Sequence, residues 1–203
     1  MKLLTDELLK DVVDQMIENY QKGKFDITQK LAKSILQKKP NHILSLKILG
    51  SIYEQKGKLN DALIINQKTV ELEDKDSESH NNLGLIFHKL GKFNNAELNF
   101  RQALILNPEY TTALYNLGNT LNEIGNLKES ENNFKKCIEL KPNFIEAYIN
   151  LANIQRIQNK FQDAEKSLKK CIKLKPDFFI TYYNLGNLFK ELKRLDEAEE
   201  CYS

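Results

Sequence analysis

Seven asparagines fall in two series at a fixed spacing of 34 residues: Asn82, Asn116, Asn150 and Asn184, then Asn119, Asn153 and Asn187. Tyr115 and Tyr183 stand immediately before members of the first series. A carboxamide offers a donor and an acceptor at once, which suits a peptide backbone whatever side chains that peptide carries. The chemistry on offer is therefore recognition. The sequence has no nucleophile elbow, phosphate-binding loop or dinucleotide fingerprint, and Glu and Lys are scattered along helix faces as solvated surface. No enzyme is expected from these residues.

Metal and redox chemistry are not expected either. His42, His80 and His88 lack ligand spacing, and there is no C-x-x-C or H-E-x-x-H. Cys137 and Cys171 are themselves 34 residues apart, where an earlier copy has Ala103. Equivalent helices in a stack lie roughly 8–10 Å apart, wider than the ~4.4–6.8 Å between the Cα atoms of a disulfide. These cysteines read as small core residues, and neither a metal nor a cofactor is expected.

The 203 residues are 41% hydrophobic and 29% charged, with 30 basic against 28 acidic side chains. Such a composition suits a folded, water-soluble chain, and the near balance of charge gives no reason to expect nucleic acid or an anionic membrane. Lys166, Lys169, Lys170, Lys173 and Lys175 crowd one predicted helix, but no aromatic residues interleave with them as a nucleic-acid platform requires. Asp6 and Glu7 fall where a signal peptide needs apolar residues, and no run approaches the ~18 needed to span a bilayer. A cytoplasmic location is expected.

The spacing of the asparagines is the period of the whole chain. With Thr111 as position 1, repeats run 9–42, 43–76, 77–110, 111–144, 145–178 and, incompletely, 179–203. All eight glycines then fall in two columns, Gly23, Gly57, Gly91 and Gly125 at position 15 and Gly50, Gly84, Gly118 and Gly186 at position 8. All four prolines, Pro40, Pro108, Pro142 and Pro176, fall at position 32. Position 15 ends a first helix, where a left-handed residue is wanted; Asn159 suits it and Lys193 departs from it. Proline at position 32 stops a second helix. Position 8 is expected to face the small residues of position 20 (Thr28, Ala62, Ala96, Ser130, Ala164, Ala198), so that two amphipathic helices approach closely. Thr5, Asp6 and Glu7 are expected to start the first helix.

These columns resemble the tetratricopeptide repeat, over residues 9–203. Repeat one is the most divergent copy, with Gln15 in place of leucine, Met16 in place of glycine and Ala32 in place of an aromatic residue; repeat two has Asn66 in that aromatic column. The resemblance implies an all-α fold, a right-handed superhelical solenoid of antiparallel helix pairs, forming a single domain over 1–203. It also implies that positions 5, 6 and 9 of the first helices line the concave face. The asparagine rows would then form a peptide-binding groove flanked by Tyr115 and Tyr183, similar to the asparagine ladder in the repeat region of O-linked N-acetylglucosamine transferase. The carboxylate clamp of the family's chaperone-tail binders is not reproduced. From repeat four the corresponding residues are Tyr115, Asn119, Asn150, Ile180 and Asn184, without a cation; from repeat two, Lys47 fits but Ser51, Thr112 and Asn116 do not.

The resulting expectation is a scaffold that binds an extended peptide or loop of a protein partner. The alternative is the substrate-recruiting arm of a glycosyltransferase or sulfotransferase whose catalytic domain is absent from this chain. The short helix from 195, with no following helix to cover it, is expected to promote self-association.

Overall fold

The computed structural model describes residues 6–203, and for residues 6 and 7 the backbone alone; Thr5, the expected start of the first helix, lies outside the described residues. The described residues form twelve helices and no strand. They divide into two compact units, one ending at Leu106 and the other spanning Asn107–Ser203.

The first unit contains α1 (Asp6–Gln21), α2 (Phe25–Lys38), α3 (Ile43–Gln55), α4 (Leu59–Leu72), α5 (Ser77–Lys89) and α6 (Phe93–Leu106). The second contains α7 (Thr111–Glu123), α8 (Leu127–Leu140), α9 (Ile145–Ile157), α10 (Phe161–Leu174), α11 (Phe179–Glu191) and α12 (Leu195–Tyr202). Within each unit every odd-numbered helix pairs with the helix after it. The pairs then stack, α2 on α3 and α4 on α5 in one unit, α8 on α9 and α10 on α11 in the other. This is the helical solenoid that the 34-residue period predicts.

The turn inside each pair is the same hydrogen-bonded device six times over. In the first, the Gly23 amide donates to the Tyr20 carbonyl and the Lys24 amide reaches back to the Asn19 carbonyl at 2.9 Å. The last has Lys193 bonded to Lys190 and Arg194 to Phe189, also at 2.9 Å. This double bond caps helices that end in a left-handed residue. Glycine occupies that place four times, while Asn159 (φ 59°) and Lys193 (φ 60°) adopt the same conformation. Lys193 carries a Cβ where it clashes with the following carbonyl, at a cost of about 1–2 kcal/mol. Part of that cost returns as backbone entropy in a glycine variant, so Lys193→Gly should raise stability by about 0.5–1 kcal/mol. A urea midpoint unchanged or lowered in that variant would contradict this reading of the turn.

Position 8 faces a different residue from the one anticipated. A Cβ built on Gly84 would lie 2.8 Å from the ring of Phe100, and one on Gly118 would lie 2.8 Å from Phe134. Gly186 meets Tyr202 and Gly50 meets Asn66 in the same way. The glycines thus make room for the position 24 side chain. Position 20 bonds to the same backbone at Ser130, whose hydroxyl donates to the Gly118 carbonyl at 2.7 Å. Where position 8 is larger, position 24 is smaller: Ala152 accompanies Leu168, and Met16 accompanies Ala32. Met16 and Ala32 are both 0% exposed. Two of the three departures of repeat one, Met16 and Ala32, are therefore one volume-conserving exchange, the kind of core change that is tolerated best.

His42 caps α3, its Nδ1 accepting from the Ser45 amide at 3.3 Å and lying 2.8 Å from the Ser45 hydroxyl. Burial, and to a lesser extent the charge of Lys39, lowers the imidazole pKa below its ordinary 6.5. The neutral ring is the form that accepts the bond. Its contribution is therefore complete above 6.5 and is lost as pH falls through the lower folded value, because the unfolded chain binds the proton first. Replacing His42 by asparagine keeps the cap and should flatten this part of the pH profile of the denaturant midpoint.

Candidate functional site

The asparagine rows of the second unit lie on three first helices, α7, α9 and α11, with contacts linking α7 to α9 and α9 to α11. Each helix is oriented by its buried face, which Leu114, Leu117 and Leu121 form on α7 and Leu185, Leu188 and Phe189 on α11. Positions 6 and 9 border that face. Accordingly Asn116, Asn119, Asn150, Asn153, Asn184 and Asn187 are all half-buried.

Their carboxamides are not equivalent. Asn150 Nδ2 donates to Asn119 Oδ1 at 2.7 Å and to the Tyr115 hydroxyl at 3.2 Å, tying α9 to α7. Asn187 Oδ1 accepts from the Tyr202 hydroxyl at 2.9 Å and holds α12. Asn153 and Asn184, in contrast, make no side-chain hydrogen bond with the described residues. Together with Arg156 and Asn187 they line a cleft of about 280 Å3 floored by Ala152, Ala164, Leu168 and Leu188. Arg156 is held at its rim by Glu191 at 3.0 Å.

The two tyrosines differ as well. Tyr115 packs edge-on to Phe134 at 5.9 Å and against Phe144 at 4.9 Å, so its ring belongs to the packing between repeats. Tyr183 is 59% exposed, with Tyr202 6.1 Å away. Phe179, Tyr183, Leu195 and Tyr202 together leave apolar surface exposed on α11 and α12.

Asn82 lies in the first unit, on α5, where Asn81 Nδ2 approaches its Oδ1 at 3.4 Å. Position 6 of the preceding repeat is Ile48, buried, so that unit has no asparagine row. Lys47, the lysine that matched one clamp position, is occupied by Asp76 at 2.7 Å, Glu73 at 3.2 Å and Glu78 at 3.5 Å. Burial alone would lower its pKa, but the bonds to Asp76 and Glu73 prevail and raise it to about 12.

Cys137 and Cys171 are fully buried, and burial pushes their thiols up to about 11 and about 12. Such thiols do not supply a nucleophilic thiolate at neutral pH. Among the described residues no group of three or more His, Cys, Asp or Glu is placed to hold a metal ion. No helix among them is long and apolar enough to cross a membrane.

A profile described as the tetratricopeptide repeat matches residues 77–110, 111–144 and 145–178, and a second profile of the same description matches 167–200. No curated protein sequence matches the chain. Among solved structures the chain is similar to MamA, at 27% identity over 85% of this chain and 94% of that one, with a TM-score of 0.75. It is also similar to PilF of Pseudomonas aeruginosa, at 15% identity over 97% and 89% of the two chains, with a TM-score of 0.82. A third similar structure is YrrB, a tetratricopeptide repeat protein with an unusual peptide-binding site. Its identity is 19% over 91% of each chain, with a TM-score of 0.71. At their low identities PilF and YrrB share the fold and no more.

Proposed function

Because the chain belongs to the tetratricopeptide repeat family, we propose that it is a non-catalytic binding module whose second unit holds an extended peptide segment of a protein partner. The observation that carries this reading is the cleft between α9 and α11, where the unpaired carboxamides of Asn153 and Asn184 face solvent beside Arg156. Carboxamides already held in place and hydrated can exchange their water for a ligand's backbone groups at a modest net gain. The backbone of an extended peptide presents alternating donors and acceptors to such a row. Asn150 and Asn119 spend part of their capacity on each other, and so position the row more than they contact the ligand.

Peptide binding here rests on the rows themselves. The test is to select binders from a library of unstructured peptides and follow the side-chain amide resonances of the full chain. Binding at this face shifts the Asn153 and Asn184 amides. Selected peptides that leave both unmoved would place recognition elsewhere.

A further inference from the structure

The first unit contains a cleft of its own, of about 350 Å3, whose lining includes Tyr20, Lys47, Ser51, Glu54, Asn66 and Glu78. It opens where the repeat pattern breaks. Gly84 and Gly118 each face a phenylalanine ring, but Gly50 faces the much smaller Asn66. Asn66 is only 6% exposed. Its Nδ2 is committed to the Ala62 carbonyl at 2.8 Å, while its Oδ1, which has no partner among the described residues, faces the cleft as an acceptor.

The remaining polar atoms of the wall are also mostly acceptors. Glu54 gives one carboxylate oxygen to Lys89 at 2.7 Å and keeps the other. Glu78 is 59% exposed at the rim, 3.5 Å from Lys47. The Tyr20 and Ser51 hydroxyls bond to each other at 2.7 Å and retain acceptor capacity. Among the described residues, Lys47 supplies the ammonium of the wall and is already enclosed by Asp76, Glu73 and Glu78. The charged residues that line the cleft are two carboxylates, Glu54 and Glu78, against the ammonium of Lys47, which Glu73 and Asp76 beyond the lining also neutralise, so carboxylate is in excess at the wall.

From this combination of a cavity, an acceptor open to it on an otherwise buried side chain and surplus carboxylate, we infer that the cleft binds the cationic side chain, lysine or arginine, of a peptide. The stem of such a side chain lies along Leu44 and Ile48, which also line the cleft, and its head donates to Asn66 Oδ1 and Glu54. Polarity is opposite to that of a clamp for an acidic tail. Nothing in this site depends on the asparagines of the second unit, so Asn153→Ala with Asn184→Ala should leave it unchanged.

Four capped pentapeptides decide the matter, each with glycine on either side of a central arginine, lysine, norleucine or glutamate, titrated into the full chain. The arginine and lysine peptides should shift the Asn66 side-chain amide and bind at least about tenfold more tightly than the norleucine peptide. The glutamate peptide should bind most weakly. Asn66→Phe, which restores the ring found at Phe100 and Phe134, should abolish the preference without lowering the melting midpoint. Should that variant pack poorly, Glu54→Gln in a folded chain still decides: it should weaken the cationic peptides about tenfold and leave norleucine unaffected. A cationic peptide bound no better than norleucine, or a preference undiminished in Glu54→Gln, would overturn the assignment.

Discussion

Replacing Phe134 by alanine should lower the stability of the second unit by about 3–5 kcal/mol, the range for removing a buried aromatic ring. Phe134 is 1% exposed and fills the space left by the missing side chain of Gly118. A companion experiment tests the contact itself. Gly118→Ala puts a methyl group within 2.8 Å of the ring, and overpacking of this kind costs about 1–3 kcal/mol. In a Phe134→Leu background, which reproduces the Ala152–Leu168 pair, the same glycine substitution should cost much less. The coupling measured by the double-mutant cycle should be at least about 0.5 kcal/mol, as for residues in contact. Additive effects would mean that positions 8 and 24 do not exchange volume.

That exchange also marks the limit of what the sequence made legible. Sorting glycines and prolines into columns located all six helix pairs and their turns, because those residues answer to backbone geometry at a single position. Repeat one looked degenerate because Gln15, Met16 and Ala32 each violate their own column, yet two of these three, Met16 and Ala32, belong together. The core requires only that their combined volume fit, a property of two positions sixteen residues apart in sequence. The family profile matches from residue 77 onward. Lys193 looked like a break in the turn, yet the hydrogen-bonded cap imposes φ 60° on it.

The candidate site was legible as a pattern but not as a set of free groups. Sequence spacing places Asn150 and Asn184 in one row. Which carboxamide is available depends on contacts between repeats: Tyr115 and Asn119 take up Asn150, and among the described residues none takes up Asn184. Sequence spacing likewise placed Tyr115 beside the groove, but Phe134 and Phe144 draw its ring into the packing between repeats. The cleft of the first unit was signalled by Asn66 alone, an exception in the aromatic column whose meaning needed the neighbouring Gly50 and Glu54.

The second large effect concerns binding. Asn153 and Asn184 can each form up to two hydrogen bonds with a peptide backbone, worth about 0.5–1.5 kcal/mol net apiece. Replacing both by alanine should therefore weaken a bound peptide by about 2–6 kcal/mol, more than tenfold in affinity at about 1.4 kcal/mol per decade. Asn119→Ala should act differently, loosening α7 from α9 through the lost partner of Asn150 and lowering stability along with affinity.

Calorimetry of one selected peptide, its scrambled sequence and its N-methylated form against the wild-type chain and the Asn153→Ala/Asn184→Ala variant tests backbone recognition most directly. The wild type should retain affinity for the scrambled peptide and lose it for the N-methylated one, and the double variant should bind the original peptide more than tenfold more weakly. Equal affinity of the double variant and the wild type for the original peptide, or indifference to N-methylation, would contradict it.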